Sequence, residues 1–379
     1  MKSRNLGWPF IGVLFSSTAW AESKFNLTQG VTEVSHEVYD LHMLVLYICT
    51  VIGVVVFGAM FWSMFFHRKS KGHVPATFHE STKVELLWTI IPIIILIGMA
   101  YPATMTLIDI ENNEDSDLTI QVTGSQWKWH YSYFDQGVEF YSSLSTPRTQ
   151  WDNREGEVEQ KGDNYLLEVD NHLVIPANRK VRFLITSDDV IHSWWVPAFA
   201  VKQDAVPGFI NEAWTIAAET GTYRGQCAEL CGKDHGYMPI VVDVLPEEEF
   251  DSWLETEKAA AIAAAEAEKA SLAERMTMEE AMTLGESTYQ TACAACHQPS
   301  GQGLPPTFPA LKGSPIAVGD ISKHIDIVVN GVSGTSMQAF GKQLTFKQLA
   351  AVITYERNAW GNNTEDLVQT SDVKAATGK

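Results

Sequence analysis

Between Gly225 and Pro239 the chain reads GQCAELCGKDHGYMP. Cys227, Cys231, His235 and Met238 fall within a dozen positions, with Glu229 between the two thiols. Several chemistries use close thiols. A disulfide suits an oxidising compartment but leaves His235 and Met238 without a role. A structural zinc site takes Cys and His readily, yet zinc has little use for a thioether. Copper does, because soft thiolate and thioether donors beside imidazole select it. The four side chains together therefore favour copper over both alternatives. One imidazole is short for two ions. Upstream, in SDDVIHSWWVPAF, His192 ends a strand-like run. Two thiolates bridging two copper ions, with one imidazole on each, Met238 on one ion and a backbone carbonyl on the other, would complete a dinuclear centre. Sharing the thiolates spreads charge and lowers the reorganisation on electron transfer, which suits a relay rather than a catalyst.

A second motif, CAACH, spans Cys293 to His297. C-x-x-C-H attaches a c-type haem through two thioether bonds and offers His297 as proximal ligand. Met337 follows His297 by 40 positions in GTSMQAF. That loop resembles the one from which class-one cytochromes c supply their distal methionine. His324, on DISKHIDIVVNG, is the competing ligand and reads as a surface histidine. Cys49 lies in an apolar run and reads as a packed small hydrophobe. Five cysteines in all, four of them in two close pairs, indicate cofactor chemistry rather than a disulfide framework.

The elements that must position these residues follow from composition and period. Lys2 and Arg4, the apolar run Leu6 to Phe15 and Ala19-Trp20-Ala21 read as a signal peptide over residues 1–21. Leu44–Phe66 and Leu86–Ile108 carry no charged residue, and each is long enough to cross a hydrocarbon core of about 30 Å. They predict a transmembrane hairpin over 22–110, with spans at 42–66 and 86–108. Arg68, Lys69 and Lys71 in the connecting loop keep that loop cytoplasmic and place everything past Ile108 outside. From 111 to 246 the pattern is β: Leu118, Ile120 and Val122 alternate with polar neighbours, as do Val181, Phe183 and Ile185. This predicts an all-β sandwich. Pro246, three glutamates and an alanine-rich run then predict a semi-rigid helical linker over 247–278, with no wide apolar stripe. Short helical patterns fill a small all-α domain at 279–361, and the polar tail at 362–379 reads as disordered.

The chain carries 27 Lys+Arg against 46 Asp+Glu, a formal charge of -19. That balance excludes nucleic-acid binding through phosphates and favours basic partners.

GQCAELCGKDHGYMP, IHSWWVPAF, KQDAVPG and GSQWKWHY resemble subunit II of the haem-copper cytochrome c oxidases, over about Val31 to Leu245. The resemblance implies a cupredoxin-like fold for the sandwich and a cytochrome c domain fused behind it. It also implies a dinuclear CuA centre held by His192, Cys227, the Glu229 carbonyl, Cys231, His235 and Met238. The Glu229 side chain would face a magnesium ion shared with subunit I. TKVELLWTIIP resembles the stretch entering the second span, where the family has a glutamate at the mouth of a proton path. Glu85 is that position, and a helix N-terminal glutamate favoured by the dipole is its plainer reading. SQWKW resembles the aromatic segment through which the family receives electrons, and Trp127 matches its tryptophan. Two positions depart from the pattern: Lys128 stands where the family commonly has tyrosine, and Gln338 where cytochromes often have proline.

The function implied is that of a respiratory-chain oxidoreductase and translocase. Electrons from a reduced c-type cytochrome would pass by haem c and CuA to subunit I, which reduces oxygen with proton pumping. The implied partners are subunit I, subunit III and the cytochrome donor, in a bacterial inner membrane with both cofactor domains on the outer face. A CuA-bearing subunit of a nitric oxide reductase and a free-standing membrane electron carrier are the alternatives.

Overall fold

The computed structural model describes residues 26–377 apart from 75–76, 78, 152–158 and 333–334. The expected signal peptide at 1–21 lies outside the described residues. Helices α1 (Glu33–Phe66) and α2 (Thr82–Ile110) are both long and apolar enough to cross a membrane. Both exceed the expected spans: α1 starts nine residues earlier, on the β-domain side, and α2 runs four residues further at its start and two at its end. At the start of α1, Thr32 and Ser35 form a capping box. The Thr32 hydroxyl donates to the Phe199 carbonyl at 3.2 Å, and the Val31 N–H to the Ala198 carbonyl at 2.9 Å. At the end of α2, the Trp214 indole donates to the Ile110 carbonyl at 2.9 Å. Both helices are thus rooted in the domain that carries the site. Cys49, expected to be packed, is instead exposed on α1.

Ten strands follow: β1 (Leu118–Ser125), β2 (Lys128–Tyr133), β3 (Val138–Ser142), β4 (Leu173–Pro176), β5 (Val181–Ser187), β6 (His192–Val196), β7 (Val201–Ala205), β8 (Asn211–Thr215), β9 (Gly221–Cys227) and β10 (Pro239–Leu245). They form two five-stranded sheets, β3-β2-β1-β5-β8 and β4-β10-β9-β6-β7. The alternation read from the sequence is the burial pattern: Leu118, Ile120, Val122, Val181, Phe183 and Ile185 are all buried between the sheets. The Tyr133 hydroxyl pins one sheet to the other, donating to the Val174 carbonyl at 2.7 Å and accepting from its N–H at 3.0 Å.

Helix α3 (Glu247–Ser271) is the expected linker helix, but it is gripped at both ends. Phe250 and Leu254 are buried in the sandwich core, and the Trp253 ring lies 5.3 Å from that of Tyr133. Burying Phe250 alone is worth about 2 kcal/mol. At the far end, the Glu268 carboxylate accepts from the Phe346 N–H at 2.6 Å. The C-terminal domain comprises α4 (Met278–Ala292), α5 (Ala294–His297), α6 (Ile321–Asn330), α7 (Phe346–Asn358) and α8 (Thr370–Thr377). α4 crosses α7 at Gly285, where a side chain would put its Cβ 2.2 Å from the Ala351 carbonyl oxygen. Glycine is what permits that approach.

The tail expected to be disordered at 362–379 is ordered over its described residues, 362–377. Val368 and Val373 are wholly buried, and α8 closes on the domain. The Arg357 guanidinium, itself buried, bonds the Asp366 carboxylate and the Ala317 carbonyl.

Candidate metal centre and haem-attachment segment

The loops at one end of the sandwich bring the first group of residues together. Cys227 ends β9, His192 opens β6, and Trp194 of β6 pairs with Cys227 across the ladder. The Cys227 and Cys231 thiols are free and lie 3.8 Å apart. His192 Nδ1 lies 4.0 Å from Cys227 Sγ, and His235 Nδ1 lies 3.5 Å from Cys231 Sγ. Met238 Sδ is 3.5 Å from Cys231 Sγ, and the Glu229 carbonyl is 3.3 Å from Cys227 Sγ. His192, Cys227, Cys231 and Met238 are buried, while the Glu229 side chain is exposed.

The two thiols titrate as a pair. The contact with Cys231 holds the Cys227 thiol well below the usual range, against the opposing effect of burial and with help from His192. The same contact pushes Cys231 upward. Two soft sulfurs close enough to share an ion, a thioether, two imidazole nitrogens and a carbonyl make a donor set that fits copper.

Sequence reasoning missed Asp189, three positions before His192. Its carboxylate accepts from His192 Nε2 at 2.8 Å and from the Gln126 N–H at 2.7 Å. Burial disfavours the His192 imidazolium, but the Asp189 bond and the Cys227 contact outweigh it and raise the pKa. With Nε2 engaged, Nδ1 is the nitrogen turned to the thiols, as metal-binding histidines generally require. A carboxylate one turn from a candidate ligand was the available signal.

Trp127 is half-buried, and its indole donates to the Cys231 carbonyl at 3.3 Å. The Gln126 side-chain amide donates to the same carbonyl at 2.8 Å. Gly232 makes this possible: at φ +118° its missing Cβ would sit 2.9 Å from the Gln126 amide nitrogen. Glu85 lies in the first turn of α2, where its carboxylate accepts from the Ser81 N–H at 3.3 Å.

In the C-terminal domain, His297 is buried and its Nδ1 donates to the Pro309 carbonyl at 2.8 Å. That bond leaves Nε2 as the ring nitrogen available to a metal. Cys293 and Cys296 are free beside the domain's apolar cluster, against which Met337 also packs. A buried imidazole with one nitrogen fixed, next to two thiols and an apolar wall, fits a covalent haem. His324 corrects the sequence reading. It is no surface residue but 2% exposed, its Nε2 held 2.9 Å from the buried Glu356 carboxylate. Met337→Ala is expected to leave the haem covalently attached and lower its potential by a sizeable part of the roughly 0.8 V over which axial ligands act. Redox titration of the variant's visible spectrum checks this, and an unchanged potential assigns the ligand elsewhere.

Residues 118–245 match the family described as Cytochrome C oxidase subunit II, periplasmic domain, and residues 20–105 match its transmembrane domain. A probable cytochrome c oxidase subunit 2 of Rickettsia bellii is 41% identical over 254 residues, covering 66% of this chain and 91% of the relative. The chain belongs to the cytochrome c oxidase subunit II family. The subunit 2 of Cereibacter sphaeroides is 39% identical over 235 residues, 60% of this chain and 78% of that one. Residues 280–355 match a third family, Cytochrome C oxidase, cbb3-type, subunit III. The crystal structure of the periplasmic domain of subunit II from Bradyrhizobium japonicum is 46% identical, covering 38% of this chain and 96% of that one, with a TM-score of 0.33.

This subunit II is a two-pass membrane protein with a periplasmic domain and a fused cytochrome c domain. It serves electron input in a haem-copper oxidase complex. Family membership implies CuA in the β domain, and the third match implies haem c behind it. The nitric oxide reductase and free-carrier alternatives are not favoured by these matches.

Proposed function

We propose that this chain collects electrons from a c-type cytochrome at its C-terminal domain and delivers them through its β domain to subunit I. Bound haem c and dinuclear copper each supply reversible one-electron chemistry. Cys293 and Cys296 would hold the haem by thioethers, and His297 and Met337 would be its further ligands. His192, Cys227, Cys231, His235, Met238 and the Glu229 carbonyl would hold the copper pair.

The observation that carries the reading is the contact between the two sites. The Lys233 ammonium, in the copper loop, donates to the Ala295 carbonyl inside CAACH at 3.1 Å. The same ammonium lies 5.9 Å over the Trp127 ring, and Trp127 bonds Cys231. The haem-attachment segment therefore touches the copper loop through Lys233, with the Trp127 ring beside that ammonium. Asp189 keeps His192 Nδ1 on the thiols, and the buried thiols exclude water from the centre.

Further assignments extend this reading. The exposed Glu229 carboxylate would face a magnesium ion at the boundary with subunit I. Glu85, at the membrane end of α2, would stand at a proton path. The basic loop with Arg68, Lys69 and Lys71 supports a bacterial inner-membrane orientation with both cofactor domains on the periplasmic face. Subunits I and III and a soluble cytochrome would be the partners, and the domain limits would be those read from the sequence as far as 361.

The test is the purified native complex. It should hold two coppers and one haem c per copy of this chain, and consume oxygen with reduced cytochrome c but not with quinol. Oxygen uptake from quinol, or nitric oxide turnover in its place, overturns the proposal.

A further inference from the structure

The two departures from the family pattern, Lys128 and Gln338, lie more than 200 residues apart in the chain and meet at one seam. Lys128 opens β2 on the copper-domain side. Its ammonium donates to Gln343 Oε1 and lies 5.1 Å over the Tyr141 ring and 5.6 Å over the Phe340 ring. Gln343 donates in turn to Gln338 Oε1 at 3.3 Å and to the Ala339 carbonyl at 2.9 Å. Gln338, the residue after Met337, donates to the Gln126 carbonyl and lies 3.5 Å from Asp189 Oδ2. Gln126 bonds both Asp189 and the Cys231 carbonyl. A continuous run of hydrogen bonds thus joins the loop of the expected distal methionine to the copper loop.

We propose that Lys128, Gln343 and Gln338 form a latch that seats the chain's own C-terminal domain on the Gln126–Trp127 surface. The inference rests on the electron route proposed above and names the residues that fix it. The chemistry of the departures supports it. A tyrosine at 128 would bring no ammonium to Gln343, and a proline at 338 would bring no amide to Gln126. Each side chain finds a partner in the other domain, Lys128 in Gln343 and Gln338 in Gln126. Burial in the seam pushes the Lys128 ammonium down to about 8. A separate donor steered by surface charge would be screened by salt. The latch instead uses one half-buried cation and neutral amides, and a tether already supplies an effective concentration in the millimolar range. A modest contact is therefore enough to keep the domain seated, and the Trp127 surface is taken by the tethered domain rather than left to a soluble one.

The test is hydrogen exchange on the intact oxidase complex carrying its cofactors. Lys128→Met keeps the apolar stem and removes the ammonium; Gln343→Ala removes the amide that joins the two halves. Each is expected to speed exchange about tenfold in segments 126–128, 231–234 and 338–343. The double variant should do no more than the stronger single, because both cut one coupled run. Copper and haem content should stay at the wild-type level, which separates loss of the latch from loss of folding. Unchanged exchange in both single variants, or effects that multiply in the double, overturns the latch. If exchange rises as expected while the wild-type complex, with its haem reduced by a flash donor, passes no electron from that haem to its copper, the latch stands and the electron route proposed above falls.

Discussion

Cys227→Ser is expected to remove the copper pair and its near-infrared absorption while haem c remains attached. Cys227 is the hub of the centre. Its sulfur faces the Cys231 sulfur at 3.8 Å, the Glu229 carbonyl at 3.3 Å and His192 Nδ1 at 4.0 Å. A serine hydroxyl is a hard donor that stays protonated at neutral pH, so it can neither bridge two soft ions nor share their charge. Loss of an outer hydrogen-bond partner of a metal ligand typically costs about 10–100-fold in metal affinity or activity, and loss of a side chain that would itself hold the metal should exceed that range. Oxygen uptake should therefore fall by on the order of a hundredfold or more. The haem should be untouched, because Cys293 and Cys296 lie in another domain with its own apolar cluster. Copper per haem, the visible and near-infrared spectrum, and oxygen uptake of the purified variant decide the matter. Two coppers retained in Cys227→Ser, or both cofactors lost from a folded protein, would show that the cysteines are divided between the sites in some other way.

The copper loop was legible because its donors are close in sequence: Cys227, Cys231, His235 and Met238 share one loop, so spacing alone nearly fixes their meeting. His192 needed the ladder between β6 and β9, yet its position before an aromatic strand was a sufficient pointer. The sandwich was legible for the same local reason, since strand alternation is written residue by residue. What the sequence hid was long-range. The tail at 362–377 is polar overall, and its order comes from Val368 and Val373 on the domain core and from Asp366 on Arg357. Composition averages those few anchors away. His324 was misread because a histidine on a helix looks solvated by type. Its neighbours Ile325, Val328 and Val329 are buried with it, so position on the apolar face outweighed residue type. The grip on α3 was missed because Phe250, Trp253 and Leu254 occupy only its first two turns, ahead of the alanine-rich run that dominated the reading.

That grip changes where the chain can be cut. Ending it before Leu254 would uncover the sandwich core, so the informative truncation ends at Ser271 and removes only the C-terminal domain. The shortened subunit should fold, load copper and assemble, because α1, α2 and both sheets are rooted in one another without the domain. What it loses is proximity. The tether supplies an effective donor concentration in the millimolar range, so delivery to the copper from micromolar soluble cytochrome in the truncated oxidase should be about 100- to 1,000-fold slower than delivery from the tethered haem. Raising the donor should restore much of the rate. The truncation also exposes Gln126, Trp127 and Lys128 to a diffusing partner. Encounter there would depend on charge steering, so its rate should fall steeply between low and physiological ionic strength. The full-length complex, whose contact is intramolecular, should hold its internal transfer rate across the same range. Oxygen uptake as a function of donor and salt, measured on both complexes with matched copper content, is the deciding experiment. A truncated complex that matches full-length activity at low donor would mean that the fused domain is off the main electron route.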